Sequence, residues 1–319
     1  MNFFKGIHLS RTNLKRKTTN EGPKRRSAGQ SLTYRPFDNS EFNFTKVADD
    51  ELIGTFGSGA HAVLVNVSPL AYGHCLLCPN YKDCRPQILS LDALSAAVAF
   101  QRSANGERSD MQVTFNSLGA WASVNHLHFH VFWPAGRHPS HSETAGELEG
   151  RILDSGGRLI LLEQPLFGKM PIELAAPKRV LAKFEYLTLE ELDYPAYTFR
   201  VTAVGEDGVN LMAAGIWSVV WVLLRLDIPH NIVLSQRATV AFVTPRQPQM
   251  ISFMQEGFSD GAGLHIACAE LGGYIICFDQ ETYECLTEED VVRIFGRDIN
   301  LEDPRMVEEV VASFNRCAV

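Results

Sequence analysis

Several features that would fix the class of this chain at once are missing. No secretory signal is read at the start, because Met1–Lys17 has only a short apolar opening before it turns polar and basic. No apolar run approaches the roughly 20 residues of a membrane helix. The longest, Leu211–Leu224, is about 14 residues, holds Gly215 and Ser218, and is followed by Arg225 and Asp227, so a buried helix is expected there. Cysteine is sparse and odd in number: Cys75, Cys78, Cys84, Cys268, Cys277, Cys285 and Cys317 among 319 residues. That excludes a disulfide scaffold and predicts reduced thiols in a cytoplasmic protein. No phosphate-cradling glycine fingerprint is present, since Gly57-Ser58-Gly59 lacks both the further glycine and a Lys-Ser/Thr pair. No internal repeat is visible.

Charge of one sign is also lacking where a nucleic-acid binder would need it. The net charge is −8, and eight of the 29 basic residues lie in residues 1–30 beside a single acid, Glu21. The remainder holds 21 basic and 36 acidic residues, an acidic body without a basic face. Neither a nucleic-acid partner nor a membrane partner is expected. Residues 1–30 read as a basic disordered tail, with a nuclear-import or anion-binding arm as the sharper alternative.

What remains is ordinary globular sequence, 45% apolar and 21% charged, long enough for two domains of about 150 residues. Phe42–Val47 alternates aromatic and polar residues and predicts a half-buried strand; Ala62–Val67 and Cys75–Cys78 predict a hairpin turned at Gly73. Ser90 is placed to cap a helix over 91–104. Strands are expected at Met111–Phe115, Val124–Trp133, Leu159–Leu162, Tyr197–Val204, Asn231–Leu234 and Thr239–Thr244. Helices are expected at Val209–Leu226, at Thr287–Phe295 with Asp290 completing a capping box, and at Glu302–Arg316. Hairpins mixed with helices point to an α+β fold rather than a parallel doubly wound sheet.

The chemistry concentrates in Asn125-His126-Leu127-His128-Phe129-His130-Val131-Phe132. Side chains alternate faces in a strand, so His126, His128 and His130 share one face while Leu127, Phe129 and Val131 take the other. With ten histidines in the chain, three at alternate positions are more than composition supplies. Two chemical readings stand beside incidental exposure: a metal site, which has no local carboxylate or cysteine to complete its shell, and nucleophilic catalysis, in which a neutral imidazole attacks phosphorus. Cys75 and Cys78 invite a zinc reading, but three residues apart in a strand they face opposite ways. His138 and His141 fall in a Pro/Gly/Ser loop and read as solvated.

The string His126–Phe132 resembles the signature of the histidine-triad (HIT) superfamily. Its GDP-hexose phosphorylase branch, which includes GDP-D-glucose and GDP-L-galactose phosphorylases, is the more specific match. The resemblance is carried by Phe37-Asp38 with Phe42–Lys46, Asn66–Leu70 with Tyr72-Gly73-His74, Phe115–Gly119 and Ser123–His128, and more weakly by Tyr194–Ala196, His230-Asn231 and Leu286–Glu289. It implies two HIT-like halves as in galactose-1-phosphate uridylyltransferase: a catalytic half over 31–145 and a second over 146–319 that completes the site. It further implies that His128 attacks the α-phosphate of a GDP-hexose, GDP-glucose foremost, with His126 and His130 beside it. Inorganic phosphate then releases GDP from a guanylyl-histidine. Asn66, Asn116 and Ser123 are the implied substrate-binding residues; apart from the resemblance, Phe44 and Val47 are expected to face the base. No metal or cofactor is implied. A HIT hydrolase of GDP-sugars or dinucleotides, and a catalytically idle nucleotide-binding protein, are the alternatives.

Overall fold

The computed structural model describes residues 31–70, 73–103, 110–133, 170–249, 264–277 and 280–316, together with the backbone of 4–7. Tyr72, His138, His141 and the strand expected at Leu159–Leu162 lie outside the described residues.

Ten strands form one antiparallel sheet. In chain order they are β2 (Leu52–Phe56), β3 (His61–Val65), β4 (Cys75–Cys78), β5 (Gln112–Asn116), β6 (Phe129–Phe132), β7 (Pro177–Lys183), β8 (Leu187–Leu192), β9 (Phe199–Ala203), β10 (His230–Ser235) and β11 (Val240–Pro245). Their spatial order is β2-β3-β4-β6-β5-β10-β11-β9-β8-β7. Helix α1 (Leu91–Arg102) joins β4 to β5, and helix α2 (Gly205–Arg225) joins β9 to β10. Each half therefore runs β-β-β-α-β-β. The two meet back to back at β5 and β10, where Asn116 pairs with Asn231 and Thr114 with Val233. The chain thus repeats in topology although no repeat is legible in its sequence. The α+β antiparallel architecture expected from the sequence is what is observed.

One face of the sheet is covered by helices. Leu77, Val113, Phe115, Phe129, Val131, Leu189, Val201, Ile232 and Val243 pack there against α1, α2 and the terminal helix α6 (Pro304–Arg316) in a single core cluster. By length and composition α2 could cross a membrane, with a mean hydropathy of 1.5 over its most apolar 18 residues, but 61% of that window is buried in this fold. Gly215 in α2 lets the helix approach, since a Cβ there would sit 3.1 Å from Leu187 and 3.2 Å from Val201.

The opposite face is the one that matters. Paired residues in an antiparallel ladder share a face, so one row crosses the sheet: Leu64, Leu76, His130, Thr114, Val233, Phe242, Arg200 and Glu190. Apolar clusters cover its first members, around Phe44, Leu64 and Leu76, and its middle, around Val233, Phe242, Met170 and Tyr274, while Arg200 and Glu190 pair with each other at the far end.

Several expectations need correction. Phe42–Val47 is not a strand. Asn43 Oδ1 accepts from Thr45 N–H at 3.1 Å and from its hydroxyl at 2.6 Å, which caps a short 3-10 turn at Phe44–Lys46. A side chain that bonds its own backbone competes with strand pairing. Ser90 does stand at the start of α1, but its side chain makes no capping bond. Within residues 1–30, read as a tail, Phe4–Ile7 forms strand β1, parallel to β12 (Tyr274–Cys277); the other residues of that stretch lie outside the description. The strands β2, β7, β8 and β12 had no counterpart in the sequence reading. The short helix α5 (Glu288–Arg293) keeps its expected cap, with Thr287 and Asp290 bonding each other's backbone.

Candidate active site

The triad segment begins outside the ladder. Strand β6 covers only Phe129–Phe132, and Val124–His128, expected as its start, has no strand partner. Buried backbone groups must still be satisfied. Leu127 N–H donates to the Arg85 carbonyl at 2.9 Å, and His128 N–H donates to Gln87 Oε1 at 2.8 Å. Gln87 Nε2 returns bonds to the carbonyls of His128 (3.1 Å) and Asn116 (2.9 Å). Asn125 Oδ1 accepts from Gln87 N–H, and its Nδ2 donates to the carbonyls of Arg35 and Pro36. A fully buried glutamine thus clamps the backbone of the central histidine to β5. No sequence pattern marked Gln87.

Alternation places the rings as expected. Leu127, Phe129 and Val131 enter the helix-side core, and the His128 and His130 ring centroids lie 5.2 Å apart on the other side. Phe44 ties His126 to them, with its ring 5.6 Å from His126 and 5.0 Å from His128. The tautomers follow from fixed partners. His128 Nδ1 lies 2.8 Å from the His126 carbonyl, which can only accept, so the proton is on Nδ1 and the lone pair on Nε2. His126 Nδ1 accepts from Phe44 N–H at 3.0 Å. A fourth histidine joins them. Leu70 N–H donates to His74 Nδ1 at 2.9 Å, and His74 Nε2 lies 3.1 Å from His130 Nδ1.

Burial disfavours the charged imidazoles. It holds His126 at about 4 against the Tyr81 carbonyl. It holds His128 at about 3, helped by His130 and opposed by the His126 carbonyl. Burial and the neighbouring His74 hold His130 at about 3. At neutral pH His128 Nε2 is unprotonated, with its lone pair free.

The other expected residues fall as follows. Asn66 Nδ2 meets His74 Nε2 at 2.9 Å while its Oδ1 accepts from Ser68 N–H. Asn116 lies on the triad face, bonded to the second half through Asn231 and Cys268. Val47 packs beside Phe44. Ser123 is exposed, three residues before His126. His74, Gln87 and Asn231 join the set, each from a distant point in the chain. Cys75 and Cys78 point into different cores on opposite faces of the sheet, as their spacing predicts. Among the described residues no group of three or more His, Cys, Asp or Glu is placed to hold a metal ion.

Comparison with known proteins meets this geometry at both halves. A family model described as GDPGP1-like, N-terminal domain, matches residues 11–132, and one described as GDPGP1-like, C-terminal domain, matches 171–308. The chain belongs to the GDPGP1-like family. It is 29% identical to GDP-D-glucose phosphorylase 1 of Danio rerio over 294 residues, covering 86% of this chain and 73% of that protein. To the Homo sapiens protein of the same name it is 28% identical over 295 residues, covering 87% and 67%. GDP-L-galactose phosphorylase 2 of Arabidopsis thaliana is 26% identical over 298 residues, covering 86% of this chain but 61% of the plant protein. The chain therefore spans about three fifths of the plant relatives and two thirds or more of these two animal ones. Among solved structures, yeast Ap4A phosphorylase Apa2 aligns with a TM-score of 0.49 at 18% identity, covering 82% of this chain and 81% of that one. In this GDPGP1-like chain the matched N-terminal domain holds the triad, Gln87 and His74, and the matched C-terminal domain supplies Asn231.

Proposed function

We propose that this chain is a GDP-hexose phosphorylase that converts GDP-glucose and inorganic phosphate to GDP and glucose 1-phosphate. The observation that carries the reading is the state of His128: Nδ1–H is held by the His126 carbonyl and Nε2 is unprotonated. The names of the relatives supply the substrate class.

In the first step Nε2 of His128 attacks the α-phosphorus of GDP-glucose. The bond from that phosphorus to the bridging oxygen breaks, and glucose 1-phosphate leaves with the electron pair. Inorganic phosphate then attacks the same phosphorus, the P–N bond breaks, and GDP leaves while His128 recovers its lone pair. A neutral imidazole spares the first step the repulsion of two anions, and the phosphoramidate it forms is reactive enough for the second. His130 and the Asn116 amide are the donors to the phosphoryl oxygens. His126 holds the nucleophile's tautomer through its carbonyl. Phe44 and Val47 form the wall for the base, and Asn66 and Ser123 bind the rest of the nucleotide. The catalytic half is residues 31–145, and 146–319 complete the site. The six cysteines within the described residues are free thiols, in keeping with a cytoplasmic enzyme.

The test is product analysis with GDP-glucose in the presence and absence of phosphate. GDP and glucose 1-phosphate should form only with phosphate. Without it, label from the α-phosphate should remain on the protein after a base quench and map to the peptide holding His128. Formation of GMP at the same rate with or without phosphate would instead make the chain a hydrolase.

A further inference from the structure

A chain of buried polar side chains runs from the second half to the triad face, and its fixed members decide the orientation of the rest. Arg246 is fully buried. Its guanidinium has only donors. Nε donates to the Gln247 carbonyl at 3.1 Å and Nη2 to Gln249 Oε1 at 3.0 Å, while Nη1 donates to the Ile266 carbonyl and, in a long bond of 3.4 Å, to Asn231 Oδ1. The Asn231 atom facing Arg246 is therefore oxygen, and its other end is NH2. That NH2 spends both hydrogens, on Asn116 Oδ1 at 2.6 Å and on the Ala120 carbonyl at 3.1 Å. Asn116 Oδ1 also accepts from Cys268 N–H at 2.9 Å. Two donors converge on one atom, so that atom is oxygen. The Asn116 NH2 is thus left to face the Cys268 sulfur, on the sheet face that carries His130. Asn116 and Thr114 share a face in β5, Thr114 pairs with His130, and Gln87 bridges the Asn116 and His128 carbonyls.

We infer that Arg246 and Asn231, both supplied by the second half, form an amide relay that fixes the Asn116 NH2 as a donor to a phosphoryl oxygen held at His128. The inference rests on the proposed function only in placing a phosphoryl group there; the orientation of the amides stands apart from it. Arg246 makes no ion pair among the described residues. Glu270 acts on it through space, and its own carboxyl is pushed up to about 7 by burial. A buried cation without a bonded anion is costly. Each amide in the relay passes its polarisation on, since a carbonyl oxygen that accepts from a cation makes the same group's NH2 a stronger donor. An anionic phosphoryl oxygen at the far end completes the chain.

The test uses the full chain and two near-isosteric variants. In Asn231→Asp the carboxylate still accepts from Arg246 but now faces Asn116 Oδ1 with an oxygen, so the Asn116 amide must turn over. In Asn116→Asp the acceptor for Asn231 and Cys268 is kept, the NH2 is lost and a carboxylate oxygen takes its place. The Asn116 side-chain NH2 signals are identified in ligand-free ¹⁵N spectra by their loss in Asn116→Asp. They should move in Asn231→Asp. GMP should bind both variants about 10–100-fold more weakly than the wild type, the range of a lost bond to a charged group, while guanosine binds all three alike. Thermal melts check that the variants fold, and Asn116→Asp alone still tests the donor should Asn231→Asp fail to fold. Unmoved Asn116 signals in folded Asn231→Asp, or unchanged GMP affinity in folded Asn116→Asp, overturn the relay. A wild type that binds GMP no better than guanosine overturns both the donor role and the phosphoryl reading it rests on.

Discussion

At the scale of single residues, the site is governed by where protons cannot go. His128 Nδ1 is occupied by a carbonyl and burial keeps its Nε2 free of a proton, so as the proposed nucleophile it needs no separate base. Replacing it by Asn removes the nucleophile and preserves much of the ring's volume. Turnover in His128→Asn should fall by about 10³–10⁶, with the far-ultraviolet circular dichroism spectrum unchanged. A variant that keeps a tenth of wild-type activity would falsify the assignment. Burial also makes the histidines a liability in acid. His126 and His230 are held at about 4, and His128 and His130 at about 3. The unfolded chain takes up their protons near 6.5, well before the folded one does. Each therefore contributes stability that is present above about pH 6.5 and is lost as pH falls toward 3–4. The melting temperature should be level above about pH 7 and drop steeply below 6. His128→Asn should reduce that slope, and a slope equal in both proteins would remove His128 from the set.

At the scale of elements, strand β6 is short because its first half is paired by side chains in place of a neighbouring strand. Gln87 satisfies the His128 N–H and C=O and the Asn116 C=O at once. A Gln87→Leu change keeps the volume and strands three buried backbone groups. At about 1–3 kcal/mol for each group left unsatisfied, discounted for relaxation, the loss should be about 2–5 kcal/mol by urea denaturation. It should be accompanied by a fall in kcat, because the same bonds place the nucleophile. The approach segment is held by a comparable device. Asp227, at a positive φ of 54° just past α2, accepts from the backbone N–H groups of Leu32 and Thr33 and the hydroxyls of Ser31 and Thr33. Burial alone would raise its carboxyl, but these donors hold it below the usual range. The chain that delivers Phe44 to the triad is in this way anchored on the second half.

At the scale of the whole molecule, one continuous sheet joins two halves of the same topology, and the row of alternating histidines lies in only one of them. Strand β11 stands where β6 would be mirrored and reads Val240-Ala241-Phe242-Val243-Thr244-Pro245, without a histidine. The second half has instead become support: it backs Asn116, anchors residues 31–33 and closes the far end of the sheet. The seam is main-chain pairing between β5 and β10 over a shared core. Cooperative unfolding across that seam is expected. Thermal transitions followed by circular dichroism should coincide with those followed by fluorescence of a protein keeping only Trp121 and Trp133, or only Trp217 and Trp221. Two separated transitions would mean that the halves melt independently.

Periodic and local features were legible before any fold was known. Alternation set Leu127, Phe129 and Val131 into the helix-side core and left His128 and His130 together on the other side; Thr287 and Asp290 fixed the start of α5. The spacing of Cys75 and Cys78 sent them to opposite faces. Tertiary structure alone decided the partners. His128 meets Gln87 across 41 positions, His130 meets His74 across 56, and Asn116 meets Asn231 across 115. Local propensity carries no signal for such pairs, because each is specified only when the sheet brings distant strands into register. Phe42–Val47 marks the boundary between the two kinds of information. Its alternation reads as a strand, yet the Asn43 side chain satisfies the backbone first, and the turn that results puts the Phe44 N–H on His126.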